Sequence, residues 1–272
     1  MKRRKFGFLI LFLILVFAIL VEVITGFQFN FQDADNILLS PNLTHWFGTD
    51  SLGRDLFTRV FVGARVSLFI AFFASILAML IGTAIGMVCG WNEGWTERFF
   101  IRVIDVLQSI PGFLLVSLLC IFLPRLFSES EFSLKKLFVL SISIALVHWF
   151  NIAKITRGQT KQLKNLSFVE AARALGASPF RILTRHLLPN MRSTLLILFT
   201  MQIPASILYE SMISFAGYGL QSPQVSWGIL LQEGWRNLSE FPHLLLLPAS
   251  ALFLTVLSLH LILGVKVSTT DR

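Results

Sequence analysis

Six apolar stretches, each near the length that crosses a bilayer, constrain this 272-residue chain more than any other feature. The first covers residues 6–21, behind the basic cluster "MKRRK"; the others fall at about 66–89, 100–123, 137–156, 191–215 and 243–265. An α-helix rises about 1.5 Å per residue, so about 20 apolar residues cross the hydrocarbon core. Within that core every backbone N–H and C=O must be bonded inside the protein. Runs this long and uniformly apolar do not suit barrel strands, so each is read as a helix. The expected fold is therefore all-α: a polytopic membrane protein with six transmembrane helices. Composition agrees, with 55% hydrophobic residues, only 14% charged and a mean hydropathy of +0.74.

The first run could open a cleaved signal peptide, but no small-x-small cleavage site follows it, which favours an uncleaved first helix. Orientation follows from the basic residues. Residues 1–5 carry Lys2, Arg3, Arg4 and Lys5 with no acid. Residues 154–192 carry Lys154, Arg157, Lys161, Lys164, Arg173, Arg181, Arg185 and Arg192 against Glu170 alone. Both segments are expected in the cytoplasm, and six spans then return both termini to that side. The loops at 26–65, 124–136 and 216–242 would face outward. The expected organisation is an anchor helix and extracytoplasmic segment over 1–65, a transmembrane body over 66–265 and a cytoplasmic tail over 266–272. Cys89 and Cys120 lie inside apolar runs and give neither a disulfide framework nor metal spacing.

The second run carries Ala74, Ala78, Gly82, Gly86 and Gly90 every four residues, a stripe that lets another helix approach closely. Between the fourth and fifth runs lies "EAARALGASPFRILTRHLLPN", whose grammar is that of a helix–turn–helix. Ser167 and Glu170 have capping-box spacing, predicting a helix from residue 168. Gly176 suits a left-handed cap, Ser178 an N-cap, Pro179 the first helical turn and Pro189 a stop, giving two helices of about ten residues. A DNA-reading module needs a further helix and its own core, and this segment is tethered to the bilayer at both ends, so nucleic-acid binding is set aside. Phe168, Val169, Leu175, Phe180, Leu183 and Leu187 must be covered, by a cytoplasmic partner's groove or by the membrane helix ends. Glu170 can serve its own helix, meet a partner's cation, or both. His186 has no companion at ligand spacing and reads as a helix-end contact.

Polar residues within the apolar runs are few. Gln202, Glu210, His148 and Asn151, together with His260, are candidate functional groups, with Glu210 placed toward the outer edge. Upstream, Asp50 with Arg54 and Asp55 with Arg59 are acid-then-base pairs four apart, which predict a short surface helix leading into the second span. An ion-coupled transporter or channel would call for mid-membrane charge or inverted repeats. A membrane enzyme would call for a His or acidic cluster at one face. None of these patterns is evident, and no G-x-x-x-x-G-K-[ST] is present to bind ATP.

Glu170-Ala171-Ala172, Gly176 and Leu188-Pro189 resemble the EAA-x3-G-x9-I-x-LP loop of inner-membrane permease subunits of bacterial ABC importers. His186 stands at the Ile position, as is usual in the oligopeptide and dipeptide branch. "HWFGTDSLGRDLFTRVFVGARVSL" at 45–68 and "SFAGYGLQSPQVSWG" at 214–228 resemble that branch as well, so the likeness covers about 45–260. The ending "LHLILGVKVSTTDR" departs from the branch's Gly-Asp-x-Leu-Arg-Asp pattern. The resemblance implies a non-catalytic, multi-pass subunit of the bacterial inner membrane. Its implied partners are a homologous second permease, two ATP-binding cassette subunits and an extracytoplasmic solute-binding protein. ATP and Mg would then sit in the partners, with no cofactor or metal held by this chain. The loop at about 157–190 would be the coupling element, with Glu170, Ala171, Ala172, Gly176, Arg181 and Pro189 as its characteristic residues.

Overall fold

The computed structural model describes residues 2–123 and 133–263; most of the 124–136 loop and the 266–272 tail lie outside the described residues. Apart from one bridge between Thr49 and Asp55, regular structure among the described residues is helical. The helices are α1 Lys2–Thr25, α2 Leu56–Trp91, α3 Trp95–Gln108, α4 Gly112–Phe122, α5 Ser133–Leu163, α6 Ser167–Ala174, α7 Pro179–Ile182, α8 Leu188–Phe215, α9 Trp227–Arg236 and α10 His243–Leu263. Five stretches are long and apolar enough to cross a membrane: Arg3–Thr25, Leu56–Trp91, Lys135–Leu163, Pro179–Phe215 and His243–Ile262.

The sixth expected span is not one straight helix. Residues 100–123 belong to α3 and α4, which meet at 94°. The break falls at Ser109–Pro111, where Pro111 takes an extended conformation at the start of α4. Proline offers no N–H to a preceding turn and disfavours helix in the residue before it, so an apolar run containing Ile110-Pro111 folds as two helices.

Helix α2 is the axis of the fold. It begins ten residues before the apolar run because Asp55 caps it, the carboxylate accepting hydrogen bonds from the Thr58 N–H at 2.7 Å and the Thr58 hydroxyl at 2.7 Å. Residue 65 is therefore inside a helix. The small-residue stripe packs on α5. A Cβ at Gly82 would stand 2.8 Å from the Trp149 carbonyl, one at Gly86 2.6 Å from that of Ala153, and one at Gly90 2.7 Å from that of Arg157. The two backbones approach so closely that only hydrogen fits at these positions.

Four apolar clusters follow α2 from one end to the other. Val60 and Phe57 pack with Val21, Trp227 and Leu230; Ile70 and Ala74 pack with Val116, Ile144 and Ile213. Ala78 packs with Ile104, Trp149 and Ile152. Met87 and Trp91 lie against Val169, Ile182 and Leu187. Helix α1 rests on α10 and α2, and Arg65 ties it to α2 by an ion pair with Glu22 at 2.9 Å.

Candidate functional site

The segment joining α5 to α8 departs from the expected grammar in two ways. Ser167 is the first residue of α6 rather than its cap; Leu166 stands at the cap position and no side chain caps the helix. The Leu166 carbonyl already accepts from the Val169 and Glu170 N–H groups at 2.9 and 3.3 Å, so the turn starts one residue early and the Ser167–Glu170 box is not formed. Pro189 does not stop the second helix. The turn ahead of it widens into a π-helical segment, Leu183–Leu187, in which the Leu188 N–H bonds to the Leu183 carbonyl. Proline deprives the helix of one N–H, and a widened turn re-registers the neighbouring bonds. Pro179–Phe215 thus runs as one continuous helix of 37 residues.

The turn between α6 and α7 is built as expected. Gly176 has φ +78°. The Ala177 N–H reaches the Ala172 carbonyl at 3.0 Å and the Gly176 N–H that of Arg173 at 2.9 Å, the paired bonds of a Schellman cap. Ser178 caps α7 with Pro179 following it. The six apolar side chains divide. Val169 and Leu187 are buried and Leu183 is half-buried against α2. Leu175, Phe180 and Phe168 stay exposed, at 88%, 76% and 36%. Glu170, Ala171, Gly176, Arg181 and Pro189 are exposed beside them, whereas Ala172 is buried. The Arg173 guanidinium lies 4.6 Å from the Trp91 ring centroid, a cation–π contact that holds α6 on the end of α2. Lys164 donates to Glu93 at 2.6 Å; this hydrogen bond and the ammonium's charge hold the Glu93 carboxyl below the ordinary carboxylate range.

Three of the polar candidates converge. His148, Asn151 and Gln202 line a cavity of about 310 Å³ together with Gln108, Gly112 and Tyr209, beside the α3–α4 break. Gln202 is hydrogen-bonded to His148, and the His148 Nδ1 lies 3.2 Å from the Ser206 hydroxyl. Gln108 donates to Asn151 at 3.0 Å, and the Tyr209 ring stands edge-on to His148 at 4.7 Å. Lys154 bridges Asp105 at 2.8 Å to Gln108, linking α5 to α3 at the cavity's edge. Amides, an imidazole and a phenol offer donors and acceptors without fixed charge. Gln108 and Tyr209 escaped the sequence reading. The proline after Gln108 was the available signal, since a helix break exposes backbone and end residues to whatever fills the gap.

Glu210 does not line this cavity. It is fully buried, where its carboxylate accepts from Ser67 at 2.8 Å, Ser214 at 2.9 Å and Ser211 at 3.4 Å. The Trp227 N–H bonds in turn to the Ser67 hydroxyl at 3.2 Å. This knot pins the start of α9 to α2 and α8. His260 bonds to its own helix at the Val256 carbonyl, 2.8 Å away.

The end of α9 is pinned by charge. Arg54 donates to Asp50 at 2.7 Å and Glu233 at 3.2 Å; Arg59 donates to Asp50 and, at 2.6 Å, to Glu233. Asp55 is paired with His45 at 2.9 Å. Of the two expected (i, i+4) pairs Asp50–Arg54 forms, but within a buried cluster rather than on a surface helix. Arg59 is 0% exposed, and the pairing of Asp55 with Arg59 gives way to one across 174 residues, to Glu233.

Comparison with known proteins agrees with this architecture. A model of the family described as binding-protein-dependent transport system inner membrane component matches residues 82–269. The oligopeptide transport system permease protein OppC of Bacillus subtilis is 35% identical over 261 residues, 96% of this chain and 82% of that protein. The glutathione transport system permease protein GsiD of Shigella flexneri is 40% identical over 255 residues, 93% and 81% of the two chains. GsiD of an Escherichia coli strain is 39% identical over the same length, with the same shares. The matched span takes in the end of α2 from residue 82, the α3–α4 break, the helical loop and α8 to α10, and the chain belongs to the family of binding-protein-dependent transport system inner membrane components, with the oligopeptide-type ABC permeases.

Proposed function

We propose that this chain forms half of the translocation pathway of an ATP-driven importer of peptides or peptide-like solutes such as glutathione. Its partners in this reading are a homologous second permease, two ATP-binding cassette subunits that hold ATP and Mg, and an extracytoplasmic solute-binding protein. It sits in the bacterial inner membrane with both termini in the cytoplasm, and it catalyses no reaction itself. Helix α1 and the segment up to Asp55 serve as anchor and extracytoplasmic segment, and the permease body begins with α2 at Leu56 rather than at residue 66.

The observation that carries the coupling role is the divided loop. Val169, Ile182 and Leu187 fasten α6 and α7 to the membrane helices, while Leu175 and Phe180 project away with Glu170 and Arg181 beside them. An apolar pair flanked by opposite charges suits a cleft in an ATPase subunit, the apolar groups supplying contact area and the charges register. His148, Asn151 and Gln202, with Gln108 and Tyr209, are proposed to line the pathway, and Glu210 to hold its scaffold. An ion-coupled carrier finds no support among these groups.

Uptake by vesicles containing the chain and its candidate partners tests the reading: uptake should vanish without the ATPase subunits. Replacing Phe180 by Asp should abolish ATPase co-purification while leaving membrane insertion intact. Uptake that survives without the ATPase would overturn the importer role. Undiminished co-purification would overturn the docking role of Phe180.

A further inference from the structure

A second, larger cavity shares no lining residue with the proposed pathway, although Lys154 links Asp105 on its wall to Gln108 in the first. It is a groove of about 750 Å³ between α3 and the loop-proximal part of α5, lined by Arg98, Arg102, Arg157 and Lys161 with Glu97 and Asp105. We propose that this groove binds the phosphodiester headgroup of an anionic phospholipid, with Arg98 and Arg102 as its ligands.

The charges decide which groups are available. Glu97 is taken by Arg157 and by Lys161, the latter at 2.6 Å, and Asp105 by Lys154 at 2.8 Å. Arg98 and Arg102 have no acidic partner among the described residues; Arg98 donates only to the Gly94 carbonyl, at 3.1 Å. Four residues apart on α3, both exposed and both on the groove wall, the two guanidinium forks can converge on one anion. A phosphate oxygen pair is what such forks match bidentately.

The adjacent stripe of α3 identifies the source of the phosphate as a lipid. Trp95 and Phe99 stack at 5.4 Å and are 74% and 48% exposed; Val106, further along the same stripe, is 58% exposed. On a helical wheel this apolar stripe adjoins Arg102 directly. A soluble anion would satisfy the arginines and leave the aromatic stripe in water. A phospholipid satisfies both, since tryptophan rings favour the headgroup level and acyl chains cover the apolar edge. The depth is consistent: α3 runs beside the basic stretch of α5 from Lys154 to Lys161, at the end of the molecule that carries the helical loop.

The test uses the full chain in neutral detergent, with lipid retention followed by native mass spectrometry. Dioleoylphosphatidylglycerol should be retained in preference to dioleoylphosphatidylcholine. Each basic residue beside an anionic headgroup contributes about fivefold, so R98Q/R102Q should lower phosphatidylglycerol retention by about 25-fold and leave phosphatidylcholine unchanged. Wild-type retention in R98Q/R102Q would overturn the proposal. Displacement of the lipid by inorganic phosphate or glycerol 3-phosphate at equal concentration would also overturn it, in favour of a soluble anion site. If R98Q/R102Q does not purify folded, R98K/R102K and W95A/F99A decide: both should weaken phosphatidylglycerol retention, and no change in either overturns the site. Transport is not the readout, so this failure is distinct from failure of the importer reading.

Discussion

The two ends of this molecule treat charge and apolar surface in opposite ways. At the α9 end, Asp50, Arg54 and Arg59 are buried with Glu233 against them; at the loop end, Leu175 and Phe180 stand in the open. Burying ions is costly unless every one is paired, so three buried ions closed by the half-buried Glu233 mark a place whose geometry is held fixed from within. Leaving large apolar side chains exposed on a segment otherwise packed marks a place completed by another chain. The difference separates a part held by buried charge from a part fastened by apolar contacts that still leaves apolar surface for another chain.

The largest expected effect lies at the fixed end. Arg59→Met leaves the buried Asp50 and the half-buried Glu233 without one of their counter-charges; breaking a fully buried pair costs about 3–5 kcal/mol, and the loss here falls toward the low end because Arg54 still pairs with both carboxylates. Thermal unfolding of the detergent-purified chain should fall accordingly. Arg59→Lys should recover only part of the loss, because one ammonium replaces a fork that serves two carboxylates. An unchanged midpoint in Arg59→Met would remove the contrast between the ends.

Next is the α2–α5 contact. Gly86→Val places carbon against the Ala153 carbonyl and the Thr156 Cβ, an overpacking worth about 1–3 kcal/mol. Gly158→Ala on α5, where a Cβ meets nothing within 4 Å, is the control and should stabilise by about 0.5–1 kcal/mol, since alanine is the better helix former. Equal behaviour of the two variants would sink the close-packing argument.

At the loop end the expected change is in coupling more than in stability. A Cβ at Gly176 also meets nothing within 4 Å, so the difficulty there is the backbone: φ is +78°. Gly176→Val should cost about 1–2 kcal/mol locally and shift the α6–α7 turn, while Gly176→Asn, which tolerates this region, should be milder. ATP hydrolysis that proceeds while uptake falls is the expected signature. Normal uptake by Gly176→Val would count against the turn's role.

The smallest effect concerns Glu93 and Lys164. Because the folded-state carboxyl titrates below its ordinary value, its stabilising contribution is present above the unfolded carboxylate range and is lost as pH falls through the folded value. Glu93→Gln should therefore flatten the acid limb of the unfolding curve slightly. Variant and parent should converge once the solution is acid enough to protonate both states.

Length and hydropathy made the helical body readable, because the bilayer restricts the chain to helices of defined length. Local chemistry was readable where one residue type answers one backbone need, as at Gly176 and Ser178. The reading failed where two local rules competed. Pro189 suggested a stop, yet a widened turn lets the helix continue; Ile110-Pro111 sat in a run apolar enough to mask the break. It failed again where the partner is far away in sequence. Asp55 and Arg59 have the spacing of a surface pair, but Arg59 belongs to Glu233, and no local pattern connects them. Among the candidate pathway residues, His148, Asn151 and Gln202 stood out because polar groups are rare in such runs. Glu210 stood out for the same reason, although its serines make it an anchor.

The widened turn at Leu183–Leu187 has a mechanical consequence. Because it accommodates Pro189 without ending the helix, Phe180 and Tyr209 lie on one 37-residue element, about 55 Å long at the usual rise. Displacement imposed at one end crosses no connecting loop before it reaches the other. The π turn is then a spring placed in series within a stiff strut. How far a push at Phe180 is damped before it arrives at Tyr209 depends on that turn, which lies within the proposed coupling loop, and on Pro204, which interrupts the same helix between them.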